Sequence, residues 1–268
     1  MRIDLLKTWL IDYMKHALIR TPLERPAFAV RKLMRVPRRL KNSELHRVID
    51  EDDAIQAFMK STLKPSMNCL DIGCHLGSML SAIARLAYDG QHAAFEPVHR
   101  QADWIKKKFP EVTVFELALS DRSGEAVFYE NIRRTGYSTL QMHGSKSKED
   151  YLEYKVAQEC LDRISLPNEP IHFMKVDTEG AELYVLRGAR DTIIRNQPLI
   201  LFELSNSGID AFGISREEIF EFINESLGYR IYDVRDFTLG KGPLDLEALE
   251  RMMEYPFQAF NFVAAPAD

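Results

Sequence analysis

The chain has 268 residues, 46% hydrophobic and 28% charged, with a formal net charge of −5; this is a globular composition, long enough to bury a large core. Its three cysteines, Cys69, Cys74 and Cys160, are an odd number without metal-ligand spacing, which argues against a disulfide framework or a zinc site and for a reducing compartment. Eleven basic and three acidic side chains in the first 41 residues make a leader of +8 and leave −13 on the remainder, so the body of the chain is a poor partner for nucleic acid.

Residues 1–60 read as a basic, helical extension ahead of a domain spanning 61–268. Leu5, Leu6, Trp9, Leu10, Tyr13 and Met14 recur at spacings of three and four, giving one apolar stripe, and Pro22, Pro26 and Pro37 cut the leader into short pieces. Asp4, Lys7, Asp12 and Lys15 interrupt each apolar run before it reaches signal-peptide or spanning length, so a soluble, cytoplasmic protein is expected. The leader suits contact with an anionic membrane surface or a phosphorylated glycan. It suits equally a solvated extension or a homodimer-forming helix. Asp50 to Leu63 reads as a helix packed ahead of the first strand.

Asn68 to Leu80, NCLDIGCHLGSML, reads as strand, tight turn and helix, with glycines where the main chain approaches a ligand and helix N–H groups facing it. The spacing Asp71-x-Gly73-x-x-x-Gly77 differs from the G-x-G-x-x-G dinucleotide fingerprint, which disfavours an NAD-dependent reductase. It resembles the first motif of class I methyltransferases that use S-adenosylmethionine. A helix to about Tyr88 and a strand His92 to Glu96 follow. Glu96, at a second parallel strand's end roughly twenty residues past the turn, stands where a ribose is held. A helix Gln101 to Phe109 and a third strand Val112 to Leu117 come next, so that Glu116 and Ala118 border the adenine, with Glu116 accepting from its amine.

Glu125 to Glu130 and Tyr154 to Glu159 have strand character and frame an insertion of about 125–160, a lid or substrate wall with a charged tip at Lys146 to Asp150. Tyr137 and Ser138 lie in it as substrate contacts, and Tyr129, Tyr151 and Tyr154 suit either stacking on a sugar or packing. A buried strand then ends at Asp177, followed by Glu179, Gly180 and Glu182 and a helix with Leu183, Leu186, Ala189 and Ile193 on one side. Three carboxylates at the ligand edge favour function for Asp177, although acids at a helix N-terminus are also stabilised by its dipole. Leu199 to Leu204 reads as the fifth strand; Ser215 to Glu218 is a capping box for a helix closing near Gly228; Tyr229 to Val234 and Phe260 to Ala264 supply the last two strands.

The segments LDIGCHLG (70–77), AFEP (94–97), LALSDRSG (117–124), YSTL (137–140), CLDRI (160–164) and KVDTEGAELYVLRGA (175–189) together resemble the FkbM-type methyltransferase family. The resemblance implies an α/β, Rossmann-like class I fold: a seven-stranded, mostly parallel sheet with helices on both faces, an N-terminal helical extension and a hairpin insertion. It also implies an S-adenosylmethionine-dependent O-methyltransferase acting on a sugar, glycan or related natural product. Asp71, Gly73 and Gly77 would surround the methionine portion, Glu96 the ribose, and Glu116 with Ala118 the adenine. Asp177, Glu179 and Glu182 occupy the acidic motif, with Glu182 on the substrate side. Cys74-His75 departs from the more usual Ala-Asn.

Methyl transfer to a sugar hydroxyl needs alignment, exclusion of water and a proton acceptor. Asp177, with Glu179 beside it, is the first candidate, and His75 the second, since histidine titrates near neutral pH. His16, His46, His92, His99, His143 and His172 form no ligand pattern, and His143 in the lid is not expected to meet substrate. A Mg²⁺-assisted variant would use Asp177 and Glu203, with Asn206. A non-catalytic, cofactor-binding scaffold docked through the leader is the rival from another class. Nucleic-acid N-methylation is disfavoured, because no Asn- or Asp-Pro-Pro-aromatic motif is present and the body is acidic.

Overall fold

A computed structural model describes residues 10, 13–14, 16–27, 29–30, 43–131, 135–142, 150–167 and 169–267. Leu5, Leu6, Trp9, Pro37, His143, the His46 side chain and residues 146–149 of the charged run lie outside the described residues. Among those described, no helix is long and apolar enough to cross a membrane.

In chain order the elements are α1 (Ser43–Thr62), β1 (Cys69–Ile72), α2 (Ser78–Leu86), β2 (His92–Phe95), α3 (His99–Lys108), β3 (Thr113–Phe115), β4 (Ala118–Leu119), β5 (Gly124–Asn131), β6 (Tyr151–Glu159), β7 (Phe173–Val176), α4 (Glu182–Gly188), α5 (Arg190–Asn196), β8 (Leu199–Glu203), α6 (Asn206–Phe212), α7 (Arg216–Glu221), β9 (Tyr229–Asp233), α8 (Val234–Thr238), α9 (Leu246–Met253) and β10 (Asn261–Pro266). Seven strands form one sheet in the order β3-β2-β1-β7-β8-β10-β9. All are parallel except β10, which runs antiparallel to both β8 and β9. This is the expected class I sheet with its reversed final strand. The strand order turns back between β1 and β7, and open α/β sheets bind ligands at such a switch point, outside the carboxyl ends of the strands.

Strands covered on both faces read as continuous apolar runs, and β1, β2 and β7 are buried at every position. The two-residue period divides them. Leu70, Ile72, Ala93, Phe95, Met174, Val176, Ile200 and Phe202 pack on one face, under α4, α5 and α7. Cys69, Phe173, Leu201 and Val263 pack on the other with Ile55, Phe58 and Met59 of α1. The described part of the leader joins this second layer. Ile19 is buried with Cys74, Leu80, Ala84, Ile105 and Phe109, Tyr13 donates to the Arg100 carbonyl at 2.8 Å, and Ser81 donates to Glu24.

Three elements differ from the sequence reading. The third strand stops at Phe115, and Ala118-Leu119 leaves the main sheet to pair in parallel with β6, turning the expected hairpin of β5 and β6 into a three-stranded second sheet. The helix after the acidic motif is two helices, interrupted at Ala189. The N-cap half of the capping box is present: Ser215 Oγ accepts from the Glu218 N–H, while the Glu218 carboxylate accepts from Arg187, and the helix ends in a π-turn before Gly228.

Candidate active site

The turn after β1 is built from residues in left-handed backbone: Gly73 at φ 77°, His75 at 48° and Gly77 at 82°. At Gly73 a glycine is required twice over, because an added Cβ would lie 1.8 Å from the Asp177 carbonyl oxygen. The turns after β1 and β7 therefore touch backbone to backbone, and together they floor a cavity of about 270 Å³ at the switch point. Its wall toward β2 is Glu96, which is 4% exposed and accepts from the His75 N–H through Oε2 and from the Val98 N–H through Oε1, both at 2.9 Å. Burial pushes the Glu96 carboxyl up to about 7 against the pull of these two bonds.

A polar stripe crosses the floor because of strand parity. Asp71 shares its face with Cys69, and the register sets Lys175 directly opposite it on β7. Beyond the paired stretch, Asp177 and Glu203 continue that face from β7 and β8, and with Glu179 they bring carboxylate oxygens within 4.8 Å of one another. Lys175 is 3% exposed, and its Nζ stands 2.9 Å from Asp177 Oδ2. Burial pulls its ammonium pKa down, but Asp177, Glu203 and Asp71 outweigh burial and leave it raised. Burial pushes Asp71 up to about 7 despite Lys175, and its Oδ2 has no hydrogen-bond partner among the described residues. Burial, with the Asp177 and Glu179 charges, pushes Glu203 well above its ordinary value.

The roof comes from the insertion. His75 and Thr135 share a hydrogen bond of 2.7 Å between Nε2 and Oγ1, Thr139 Oγ1 donates to the Glu179 carbonyl at 3.0 Å, and the His16 ring stands edge-on to that of His75. Phe128, Ser138 and Leu140 complete the lining beneath it.

Of the residues expected from sequence, Asp71, Gly73, His75, Glu96, Ala118, Ser138, Asp177 and Glu179 all line this one cavity. Five others do not. Gly77 faces Phe109 and Ile105, whose side chains a Cβ would meet at 2.7 and 2.8 Å, so its work is helix packing. Glu116 lies past the end of the third strand on the surface, held by His99 at 2.7 Å and Lys106 at 3.1 Å, and does not border the cavity. Tyr137 is 42% exposed and turned away from it. Glu182 is 2% exposed and accepts through Oε1 from the Thr178 N–H, the Thr178 hydroxyl and the Gly180 N–H; it ties the acidic turn and stands outside the lining. Glu203 stands behind Asp177, outside the lining.

Sequence reasoning passed over Lys175 and Gln101, both of which line the cavity. Parity was the available signal for Lys175; for Gln101 it was the i,i+4 spacing to the buried Ile105. His99 also departs from expectation. It brings a ring nitrogen within 4.8 Å of carboxylate oxygens of Asp103 and Glu116, but Lys106 enters the same group, making it a surface ion-pair network of small energetic weight.

Residues 71–231 match the methyltransferase FkbM domain. No curated protein matches the chain. Among solved structures, the chain is similar to the methyltransferase FkbM from Methylobacillus flagellatus KT, at 12% identity and a TM-score of 0.47, with 92% of this chain covered and 62% of that one. It thus spans less than two thirds of that protein's length. It is also similar to an rRNA methylase from Streptococcus thermophilus, at 10% identity and a TM-score of 0.41, with 80% and 94% covered. A third likeness is to SMU.1697c from Streptococcus mutans in complex with SAH, at 10% identity and a TM-score of 0.44, with 80% and 97% covered.

Proposed function

The chain belongs to the FkbM methyltransferase family, and from that premise we propose that it methylates a hydroxyl oxygen of a sugar, glycan or related natural product, with S-adenosylmethionine as the donor. The observation that carries the reading is the pairing of two buried carboxylates, Asp71 and Glu96, at the ends of adjacent strands and facing one roofed cavity.

The residues fit such a donor. Glu96 spends one lone pair of each oxygen on a backbone N–H, and the remaining pairs can accept from vicinal ribose hydroxyls. Asp71, with an unpartnered oxygen in a buried site, is suited to a cationic amino-acid end. When bound, S-adenosylmethionine supplies an electrophilic methyl carbon on a sulfonium centre. The protein's share is positioning and proton removal. Asp177 opens on the cavity, and Lys175 holds its Oδ2 in place. As the acceptor oxygen forms its new bond, Asp177 takes the hydroxyl proton, and Glu203 behind it lies near enough to share the load. His75, engaged by Thr135 and the ring of His16, serves as the latch between turn and lid rather than as the base.

Asp177, Glu179 and Glu203 also have the spacing to hold Mg²⁺. Lys175 already places a positive charge 2.9 Å from Asp177, which supports the metal-free reading.

Calorimetric titration with S-adenosylmethionine tests the donor. Micromolar binding by the wild type, weakened at least tenfold (about 1.4 kcal/mol) in Glu96→Ala, is expected; no binding by the wild type refutes the reading. Asp177→Asn should bind the donor as the wild type does and lose about 10²–10⁴ in turnover once an acceptor is in hand.

A further inference from the structure

One polar side chain in the cavity has no part in this chemistry. Gln101, in the first turn of α3, is 2% exposed, lines the cavity, and has a side-chain Nε2 without a hydrogen-bond partner among the described residues. An amide N–H buried and unpaired costs about 1–3 kcal/mol, a cost relieved when a ligand brings an acceptor to it.

The surroundings indicate which acceptor. Gln101 follows Glu96 by five residues, stands in the first turn of α3 and lines the same cavity, whose apolar lining includes Pro97, Leu117, Ala118 and Phe128. A ribose held at Glu96 carries its base into that apolar slot. A carboxamide offers a donor and an acceptor side by side, matching adenine's ring nitrogen and exocyclic amine in a bidentate pair. A carboxylate offers no donor, and Glu116, the sequence-level candidate for this contact, is engaged elsewhere on the surface.

We propose that Gln101 reads the adenine of the methyl donor, making it the residue that sets the base specificity of the cofactor site. The inference rests on the S-adenosylmethionine reading above and adds the residue that recognises the base.

The test is calorimetry with S-adenosylhomocysteine and with its purine analogue lacking the exocyclic amine, on the wild type and Gln101→Met, together with the melting temperature of each ligand-free protein. The wild type should prefer the amine-bearing ligand at least tenfold. Gln101→Met should bind the two within about threefold of each other and melt no lower than the wild type, since it removes an unpaired buried amide. Should Gln101→Met not fold, Gln101→Glu, of the same size, keeps the acceptor and loses the donor, and should weaken both ligands by about tenfold. The proposal is overturned if Gln101→Met retains the preference, if Gln101→Glu binds both ligands as tightly as the wild type, or if the wild type binds both equally. A wild type that binds neither ligand overturns the donor reading itself, and this inference with it.

Discussion

Replacing Gly73 by alanine should be the most damaging single-methyl change in the chain. The backbone there sits at φ 77°, which costs an L-residue about 1–2 kcal/mol. The new Cβ would lie 1.8 Å from the Asp177 carbonyl oxygen and 2.9 Å from its carbon. Neither obstacle can rotate away, because both are main chain, so the turns after β1 and β7 must part by about 1.5 Å to restore a contact near 3.3 Å. Overpacking of this kind costs about 1–3 kcal/mol, and the two contributions sum to about 2–5 kcal/mol. Gly77→Ala, at φ 82°, bears the same backbone cost but meets only the movable ends of Phe109 and Ile105, and should lose less. In urea unfolding, with a slope near the upper end of about 1–3 kcal/mol/M for a chain of this size, Gly73→Ala should lower the midpoint by about 0.7–1.7 M. It should also abolish measurable S-adenosylmethionine binding, because the separation displaces Asp71 and breaks the floor of the cavity. A Gly73→Ala protein as stable as Gly77→Ala and still binding the donor would refute the backbone-contact argument.

Glu182→Ala strands the Thr178 and Gly180 N–H groups, which should cost about 2–4 kcal/mol and register as a lower melting temperature; Glu182→Gln keeps the accepting oxygen and should melt within a few degrees of the wild type. Affinity for S-adenosylmethionine should rise as pH goes from 6 to 8, because Asp71 and Glu96 are held at about 7 in the ligand-free protein and the ligand selects their ionised forms. The same raised values mean that these two groups contribute less stability to the ligand-free fold as pH climbs from about 4 through about 7, the reverse of a salt-bridged carboxylate. A dissociation constant indifferent to pH over that range would contradict the assignment.

The parts legible in the sequence are those decided by neighbours a few residues away. Turn glycines, a strand-ending carboxylate at Glu96 and the cap at Ser215 follow from local spacing, and each stands where that spacing puts it. Glu116 and Glu182 misled because a carboxylate's role depends on which donors reach it. His99 and Lys106 come to Glu116 from α3; the amides that reach Glu182 are only two and four residues away, but a carboxylate there reads the same whether it binds its own turn or a ligand. Lys175 was hidden by its surroundings: in the run Phe173 to Val176 it reads as one charge in an apolar strand, and only the register with Asp71 shows that it neutralises a stripe. Ala118 read as a ligand-edge residue just past the third strand, yet Ala118-Leu119 is itself a strand whose hydrogen-bonding partner is β6, some 40 residues further on.

The contacts that join the insertion to the turns flooring the cavity are distant in sequence: His75 to Thr135 spans 60 residues and Thr139 to Glu179 spans 40. The sheet beneath is secured by its own ladders and does not depend on them. Loop-closure entropy weighs most on such distant contacts, and regions tied down by a few hydrogen bonds open at less than the global free energy. The junction between roof and turns is therefore expected to open at a lower free energy than the sheet. Opening of the roof alone, with β1 and β7 still paired, would give a nucleoside-sized ligand its passage to the cavity.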